Sequence, residues 1–339
     1  MVGATGAVGG VMLRVLEERR FPATEVVPFA SERSVGRVLE FGGGQIEVRG
    51  LSDETIQGFD IAIFSAGGAT SGEWAPRFAA AGAVVVDNSS RWRMEDDVPL
   101  VVAEVNPDDL AGHRGIVANP NCSTMQMMVA LKPIDVVAGI ERLVITTMQS
   151  VSGTGQKAVD GLRAETEAAL SDREVPAPQA YPHQIAFNVI PQAGSFPDGS
   201  DYTDEELKLV NETRKILGRP DMPVSATCTR VPVYTGHSES VNVQTREPLA
   251  AEDCRALLAR SPGITVLDDP AQAIYPLAID AAGRDDVLVG RIREDPSHPR
   301  ALNLFVVADN LRKGAATNAV QLAELLVERG LVRARPQAA

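Results

Sequence analysis

"MVGATGAVGGVMLRVLEE", residues 1–18, sets a glycine-rich turn in front of an amphipathic segment. Gly3, Gly6 and Gly9 recur at every third position. Val8, Val11, Met12, Val15 and Leu16 follow the i, i+3, i+4, i+7, i+8 spacing of one buried helical face. A helix that begins on bare backbone N–H groups attracts phosphate. The spacing is G-x-x-G-x-x-G rather than G-x-G-x-x-G, so by itself the turn suits either a nucleotide or an ordinary strand-to-helix connection. Only Met1 and Val2 stand ahead of the glycines. The strand expected there is therefore either very short or begins upstream of Met1, and its edge hydrogen-bond ladder is expected to be incomplete.

The apolar runs beyond the turn decide between the two readings. "EVVPFA" (25–30), "DIAIFSA" (60–66), "AVVVDNS" (83–89) and "GIVANP" (115–120) alternate with helical or loop segments. That is the pattern of a parallel sheet covered on both faces, a doubly wound, Rossmann-like α/β domain. The end of the second strand in such a domain reads the adenosine ribose. An acidic residue there suits NAD, whereas "ASERSVGR" (30–37) offers Ser31, Arg33 and Ser34 to a 2'-phosphate, which predicts NADP. Glu32 lies in the same run, and an inward carboxylate would reverse the preference.

Beyond residue 121 the pattern changes. "ERLVITTMQSVSG" and "SATCTRVPVYTGHSESVNVQTREPL" are β-rich. "DDVLVGRIRED" and "ALNLFVVADN" read as a strand pair joined by a Pro-containing turn, and "QKAVDGLRAETEAAL" as a helix. This predicts an α+β second domain. Residues 176–200 form a long Pro-rich excursion too apolar for a free linker, expected to pack on a second subunit. "ATNAVQLAELLVERGLV" has helical periodicity and is expected to return to the first domain's sheet. The expected division is 1–121 plus 312–339 for the NADP-binding domain and 122–311 for the catalytic and dimerisation domain.

The chain's 339 residues are enough for two cores, and no run of about 18 apolar residues predicts a membrane span. With no secretory leader evident, a cytoplasmic protein is expected. A net charge of −13 argues against nucleic acid as partner. Cys122, Cys228 and Cys254 form neither a disulfide framework nor a metal pattern, so three free thiols and no metal are expected.

"VANPNCSTMQ" (117–126) places Cys122 after a strand broken by Pro120 and at the start of a helix, where the positive dipole end favours a thiolate. A lone cysteine is otherwise a small buried hydrophobe. A nucleophile needs a proton carrier, and among four histidines His237 stands out. With Arg230 seven positions earlier, the two are read as the ends of a hairpin aimed at one site. The alternative for His237 is a turn histidine bonded to backbone.

The ordered motifs "GATGAVG", "ASERSVG", "SSRWRMEDDVPLVVAEVN", "ANPNCST", "MQSVSGTG", "NETRKILG", "TRVPVYTGHSESV" and "ADNLRKGAATNAVQLAE" span nearly the whole chain. In them it resembles the aspartate-β-semialdehyde dehydrogenases. The resemblance implies NADPH-dependent reduction of aspartyl phosphate to aspartate semialdehyde with release of phosphate, a step toward lysine, threonine and methionine, in a homodimer. It implies Cys122 as nucleophile, Gln149 as the group orienting the acyl intermediate, and His237 as acid/base. Arg230 would bind the substrate carboxylate and Glu212 its ammonium, with Lys215, Arg93 and Asn121 on the phosphate. Cofactor contacts would come from Thr5, Gly6, Ala7 and Val8, from Ser31, Arg33 and Ser34, and from Ser152, Gly153 and Asn310. Two alternatives stay open: an N-acetylglutamyl-phosphate reductase, against which "PNCST" stands in place of a "PGCYP"-like pattern, and a non-catalytic paralogue.

Overall fold

The computed structural model describes residues 1–171 and 173–332, in two compact units. The first comprises Met1–Asn121 and the segment from Ala315 onward, the second Cys122–Gly314.

In the first unit α1 (Ala7–Glu18) leaves the glycine turn and buries Val11, Met12, Val15 and Leu16, as its periodicity predicts. A hairpin comes next, β1 (Val38–Phe41) and β2 (Gly44–Glu47), closed by Gly42 and Gly43 at φ +63° and +73°. Two consecutive positive φ values make the turn type whose twist matches that of a hairpin. Then come β3 (Ile61–Phe64), α2 (Gly68–Ala80), β4 (Val84–Asp87) and β5 (Ile116–Ala118).

Strands β3, β4 and β5 pair in parallel, and single-residue parallel bridges extend the order outward from β3 to Val2, Phe29 and Arg49. "EVVPFA" thus contributes only Phe29, because Pro28 before it has no N–H to donate. The strand ahead of the glycines is short, and it is central rather than an edge. Val2 donates to Ile63 O and accepts from Ser65 N, while Gly3 N donates to Phe29 O. The sheet order reverses at Val2, and the glycine turn lies on that switch point, where doubly wound sheets open a crevice.

The second unit starts with α3 (Cys122–Ala138), which is buried nearly all round because "MQMMVAL" has no polar face. Next are β6 (Ile140–Gln149), α4 (Gln156–Leu170), α5 (Asp204–Leu217), β7 (Val224–Arg230) and β8 (His237–Thr245). After them come α6 (Ala251–Ala259), β9 (Ile264–Val266), α7 (Ala278–Ala281), β10 (Val287–Glu294) and β11 (Ala301–Ala308). They form one mixed sheet in the order β7-β6-β8-β11-β10-β9, with α3 packed on it.

This order corrects the hairpin reading of Arg230 and His237. β6 lies between their strands, parallel to β7 and antiparallel to β8, so the segment 231–236 crosses the end of β6 instead of turning back on itself. The chain then passes through a π-turn (Arg312–Thr317) into α8 (Asn318–Glu328), which packs on β4 in the first unit.

Candidate active site

A cavity of about 620 Å³ opens beside the glycine turn, lined by Gly3, Thr5, Gly6, Ser31, Glu32, Ser65, Thr70 and Trp74 among others. Gly3 has φ +87°, and a Cβ there would meet Ser65 O at 2.2 Å, so only glycine fits. Gly6 precedes α1 with no side chain capping the helix, which leaves the first-turn N–H groups of Ala7 and Val8 to a ligand. A dinucleotide's pyrophosphate fits this cradle. Ser31 and Glu32 both line the cavity, whereas Arg33 and Ser34 follow on the next turn (Glu32–Ser34) with Arg33 exposed.

The polar residues of the second unit gather at one end of its sheet. Gln149 closes β6 and is paired in register with Arg230, the last residue of β7. His237 opens β8 on the other side of β6. All three are buried. Ser150 holds them together: its O accepts from Arg230 Nη1 at 2.8 Å, and its N–H donates to His237 Nδ1 at 3.0 Å. The Asn310 side chain locks the same corner. Its Oδ1 accepts from Gly236 N at 2.9 Å and Ser150 Oγ at 3.0 Å, while its Nδ2 donates to Ser152 Oγ at 2.9 Å. Gly153 crowds the group, since a Cβ there would lie 3.2 Å from His237 Cε1 and 3.3 Å from Arg230 Nη1.

Cys122 begins α3 and is partly exposed. Gln126, one turn further on, donates to His237 O at 3.2 Å, which ties this helix end to the start of β8. The other two thiols are buried, and burial pushes Cys254 up to about 12 and Cys228 higher still. Neither forms thiolate near neutrality. In the first unit Arg93 is buried in the loop after β4, with Nη2 donating to Asn88 O at 2.8 Å, and Asn121 is buried immediately before Cys122.

The α5 residues differ from expectation. Glu212 and Lys215 lie two or more turns into the helix, and four residues past Lys215 its far end is anchored by Arg219 to Asp135 and Ile140 O. The acid that reaches the sheet end is Glu205 in the first turn, whose carboxylate accepts from Gln149 Nε2 at 3.3 Å. Lys208 follows at the same E-x-x-K spacing and donates to Glu205 at 2.8 Å and Asp204 at 2.6 Å. Burial works against the Lys208 ammonium, but these carboxylates keep its pKa above the ordinary lysine value. Seven residues of helix span about 10 Å, too far for Glu212 to replace Glu205 at Gln149.

Two family models match the chain, "Semialdehyde dehydrogenase, NAD binding domain" over residues 1–113 and "Semialdehyde dehydrogenase, dimerisation domain" over 131–313. The aspartate-semialdehyde dehydrogenase of Aquifex aeolicus is 55% identical over 336 residues, 98% of each chain. The chain belongs to the aspartate-semialdehyde dehydrogenase family. The crystal structure of aspartate semialdehyde dehydrogenase II from Vibrio cholerae, complexed with ASA, superposes with a TM-score of 0.92 at 50% identity, covering 96% of this chain and 97% of that one. The Candida albicans enzyme, solved with NADP, has a TM-score of 0.75 at 27% identity over 98% of each chain.

Within this family member, sequence reasoning missed Ser150, Glu205, Lys208 and Tyr181. The Tyr181 ring lies under the Arg230 guanidinium, 5.6 Å from its centroid, and its hydroxyl donates to Thr154 Oγ1 at 3.0 Å. Glu205 and Lys208 carried a signal in "TDEELK", where Thr203 and Glu206 form a capping box that starts the helix with its acids at the sheet end. Tyr181 and Ser150 carried none, because their partners are remote in sequence. No described helix is long and apolar enough to cross a membrane, and no metal-ligating cluster occurs among the described residues.

Proposed function

We propose that the chain catalyses NADPH-dependent reductive dephosphorylation of L-aspartyl-4-phosphate to L-aspartate-4-semialdehyde through a thioester on Cys122, in the biosynthetic route toward lysine, threonine and methionine. The observation that carries this reading is the junction of Cys122 at the start of α3 with Gln149, Arg230 and His237 at one end of a sheet. A thiolate attacks the acyl phosphate and expels phosphate. The thioester so formed accepts hydride readily because thiolate is a good leaving group.

Arg230 suits the substrate carboxylate, since a guanidinium binds it through two parallel hydrogen bonds. Gln149 steadies the acyl group. The ammonium falls to Glu205, which stands at Gln149, in place of Glu212, and the phosphate to Lys208 with Arg93 and Asn121. A carboxylate placed for a free ammonium also favours aspartyl over N-acetylglutamyl substrates.

The turn Thr5–Val8 would hold the NADPH pyrophosphate and the adjoining cavity its adenosine, with Ser31, Arg33 and Ser34 toward the 2'-phosphate. Ser152 and Gly153 serve the nicotinamide side, with Asn310 fixing Ser152. When bound, the reduced nicotinamide supplies the hydride. We assign the homodimer contact to the Pro-rich segment, where Phe187, Val189 and Phe196 are exposed.

The test runs the reaction backward, following NADPH absorbance with aspartate semialdehyde and NADP as phosphate is varied. NADPH should form only with phosphate. Formation without it would mean hydrolytic aldehyde oxidation, and no formation at all would overturn the assignment.

A further inference from the structure

We infer that Tyr181 is the positioning residue of the substrate-carboxylate subsite: its ring holds the Arg230 guanidinium in place, and through it the Pro-rich segment becomes part of the site. This rests on the function proposed above and adds to it the group that sets Arg230.

Arg230 is only 5% exposed, and a buried guanidinium needs partners for its charge and its N–H groups. Among the described residues no acid pairs with it. Nη1 donates to Ser150 O at 2.8 Å, and Nε is buried without a partner. What faces the charge instead is the Tyr181 ring, whose centroid is 5.6 Å from Cζ. That is inside the roughly 6 Å over which a ring face attracts a cation. The difference from an acid matters for binding. A carboxylate in that place would occupy the fork and compete with the substrate carboxylate, whereas a π face stabilises the charge and leaves N–H groups for the ligand.

The ring is itself anchored. Its hydroxyl donates to Thr154 Oγ1 at 3.0 Å, at the end of the short turn Val151–Thr154. Gly153 in that turn approaches Arg230 so closely that a Cβ there would lie 3.3 Å from Nη1, so the turn that anchors the hydroxyl also borders the guanidinium.

Behind the ring, the Pro-rich segment is fastened within the same unit. Glu165 Oε2 accepts from Ile185 N at 2.8 Å and from Ala186 N at 2.9 Å. Ile185, Ala186 and Ile190 are buried in one cluster with Val151 and Leu162, and Tyr181 packs against it. Ile190 and Arg230 exchange two backbone hydrogen bonds, at 2.9 and 2.8 Å. The segment is therefore tied to the Arg230 backbone through Ile190 and to its head group through Tyr181. Phe187 and Val189, between the two ties, stay exposed, so the contact assigned to them above is left open.

Two variants separate ring from hydroxyl: Tyr181→Leu loses the π face, and Tyr181→Phe keeps the face and loses the hydroxyl. With semialdehyde and phosphate varied separately, Tyr181→Leu should raise the apparent constant for semialdehyde about three- to tenfold and that for phosphate less than about twofold. Tyr181→Phe should restore most of that loss. In an Arg230→Ala background, Tyr181→Leu should add less than about twofold, because a residue that acts through Arg230 then has nothing to position. An equal rise for both ligands, an equal loss in the Phe and Leu variants, or the same factor with and without Arg230 overturns the inference. Independent of activity, the Arg230 side-chain signals in arginine-labelled protein can be assigned by their loss in Arg230→Ala. The ring should shift them upfield in the parent and in Tyr181→Phe, and the shift should vanish in Tyr181→Leu. If the parent lacks the reaction but shows this shift, the proposed function fails and the pairing of ring and guanidinium stands. If the parent is active and the shift is absent, the inference falls and the function stands.

Discussion

The glycine turn and the far end of the six-stranded sheet are built from different materials. At the turn the working groups are backbone N–H donors, and the residues matter mainly for what they lack: Gly3 leaves room for Ser65 O, and Gly6 leaves α1 uncapped. At the sheet end the working groups are side chains from β6, β7, β8 and α3, locked by Ser150 and Asn310. The first is contiguous in sequence and has no room for a side chain at Gly3 or Gly9. The second depends on strand order, which brings residues remote in sequence to one end of the sheet.

The largest expected effect tests whether one thiol among three does the chemistry. Cys122→Ser should lose about ten-thousand-fold or more in kcat with a Tm within a few degrees of the parent. Mass spectrometry after a substrate quench should find the acyl adduct on Cys122 alone; an adduct on Cys228 or Cys254 would contradict the assignment.

Next in size is the division of the substrate. Arg230→Ala leaves an unpaired substrate carboxylate and should raise the apparent constant for semialdehyde by roughly 30- to 800-fold, about 2–4 kcal/mol, with little change for phosphate. Lys208→Ala should do the reverse. Lys215→Ala should move both constants less than about threefold, since Lys215 lies about two helical turns beyond Lys208, away from the sheet end where Glu205 meets Gln149. Steady-state kinetics with the two ligands varied separately would show the helix register to be misread if Lys215, and not Lys208, carried the phosphate effect.

Glu239 gives a smaller effect, in stability. Neither carboxyl oxygen reaches a hydrogen bond, and the polar ends of Gln126 and Ser123 offset only part of the desolvation. Its folded pKa is raised, so the folded state binds a proton that the unfolded state loses above about pH 4.3. Stability from this group therefore falls as pH rises from there toward the folded value. Glu239→Gln removes the slope: its Tm should match the parent near pH 4.5 and exceed it increasingly toward pH 7, with about 1 kcal/mol gained per pH unit. A constant Tm difference across that range would mean the carboxyl is ionised in the fold.

The smallest expected change is at the cofactor ribose. Arg33→Ala should lower the NADPH-to-NADH ratio of kcat/KM by about three- to tenfold, because Arg33 is exposed and its pairing is screened. No change would place the 2'-phosphate on Ser31 and Ser34 alone, or show that Glu32 sets the preference.

Much of the molecule is legible in the chain. The faces of α1, the limits of α4, the Pro-containing turn between β10 and β11, and the start of a helix at Cys122 all follow from local periodicity and from Pro and Gly positions. The β1–β2 hairpin has its signal in Gly42–Gly43, which the pattern of apolar runs passes over. "EVVPFA" promises a longer strand than forms, because Pro28 removes the donor that strand would need. On α5 the E-x-x-K spacing occurs twice, at Glu205/Lys208 and Glu212/Lys215, and nothing within the helix tells which pair reaches the sheet end.

By itself the sequence determined the glycine turn, the covered parallel strands, the second α+β unit and the place of Cys122 at a helix start, since each rests on neighbours within a few turns of chain. Only the tertiary structure decided that β6 separates Arg230 from His237, that Glu205 and not Glu212 stands at Gln149, and that the Ser150 amide fixes the His237 ring. These depend on strand order and helix direction. Both come from burying one continuous core, which no local pattern encodes.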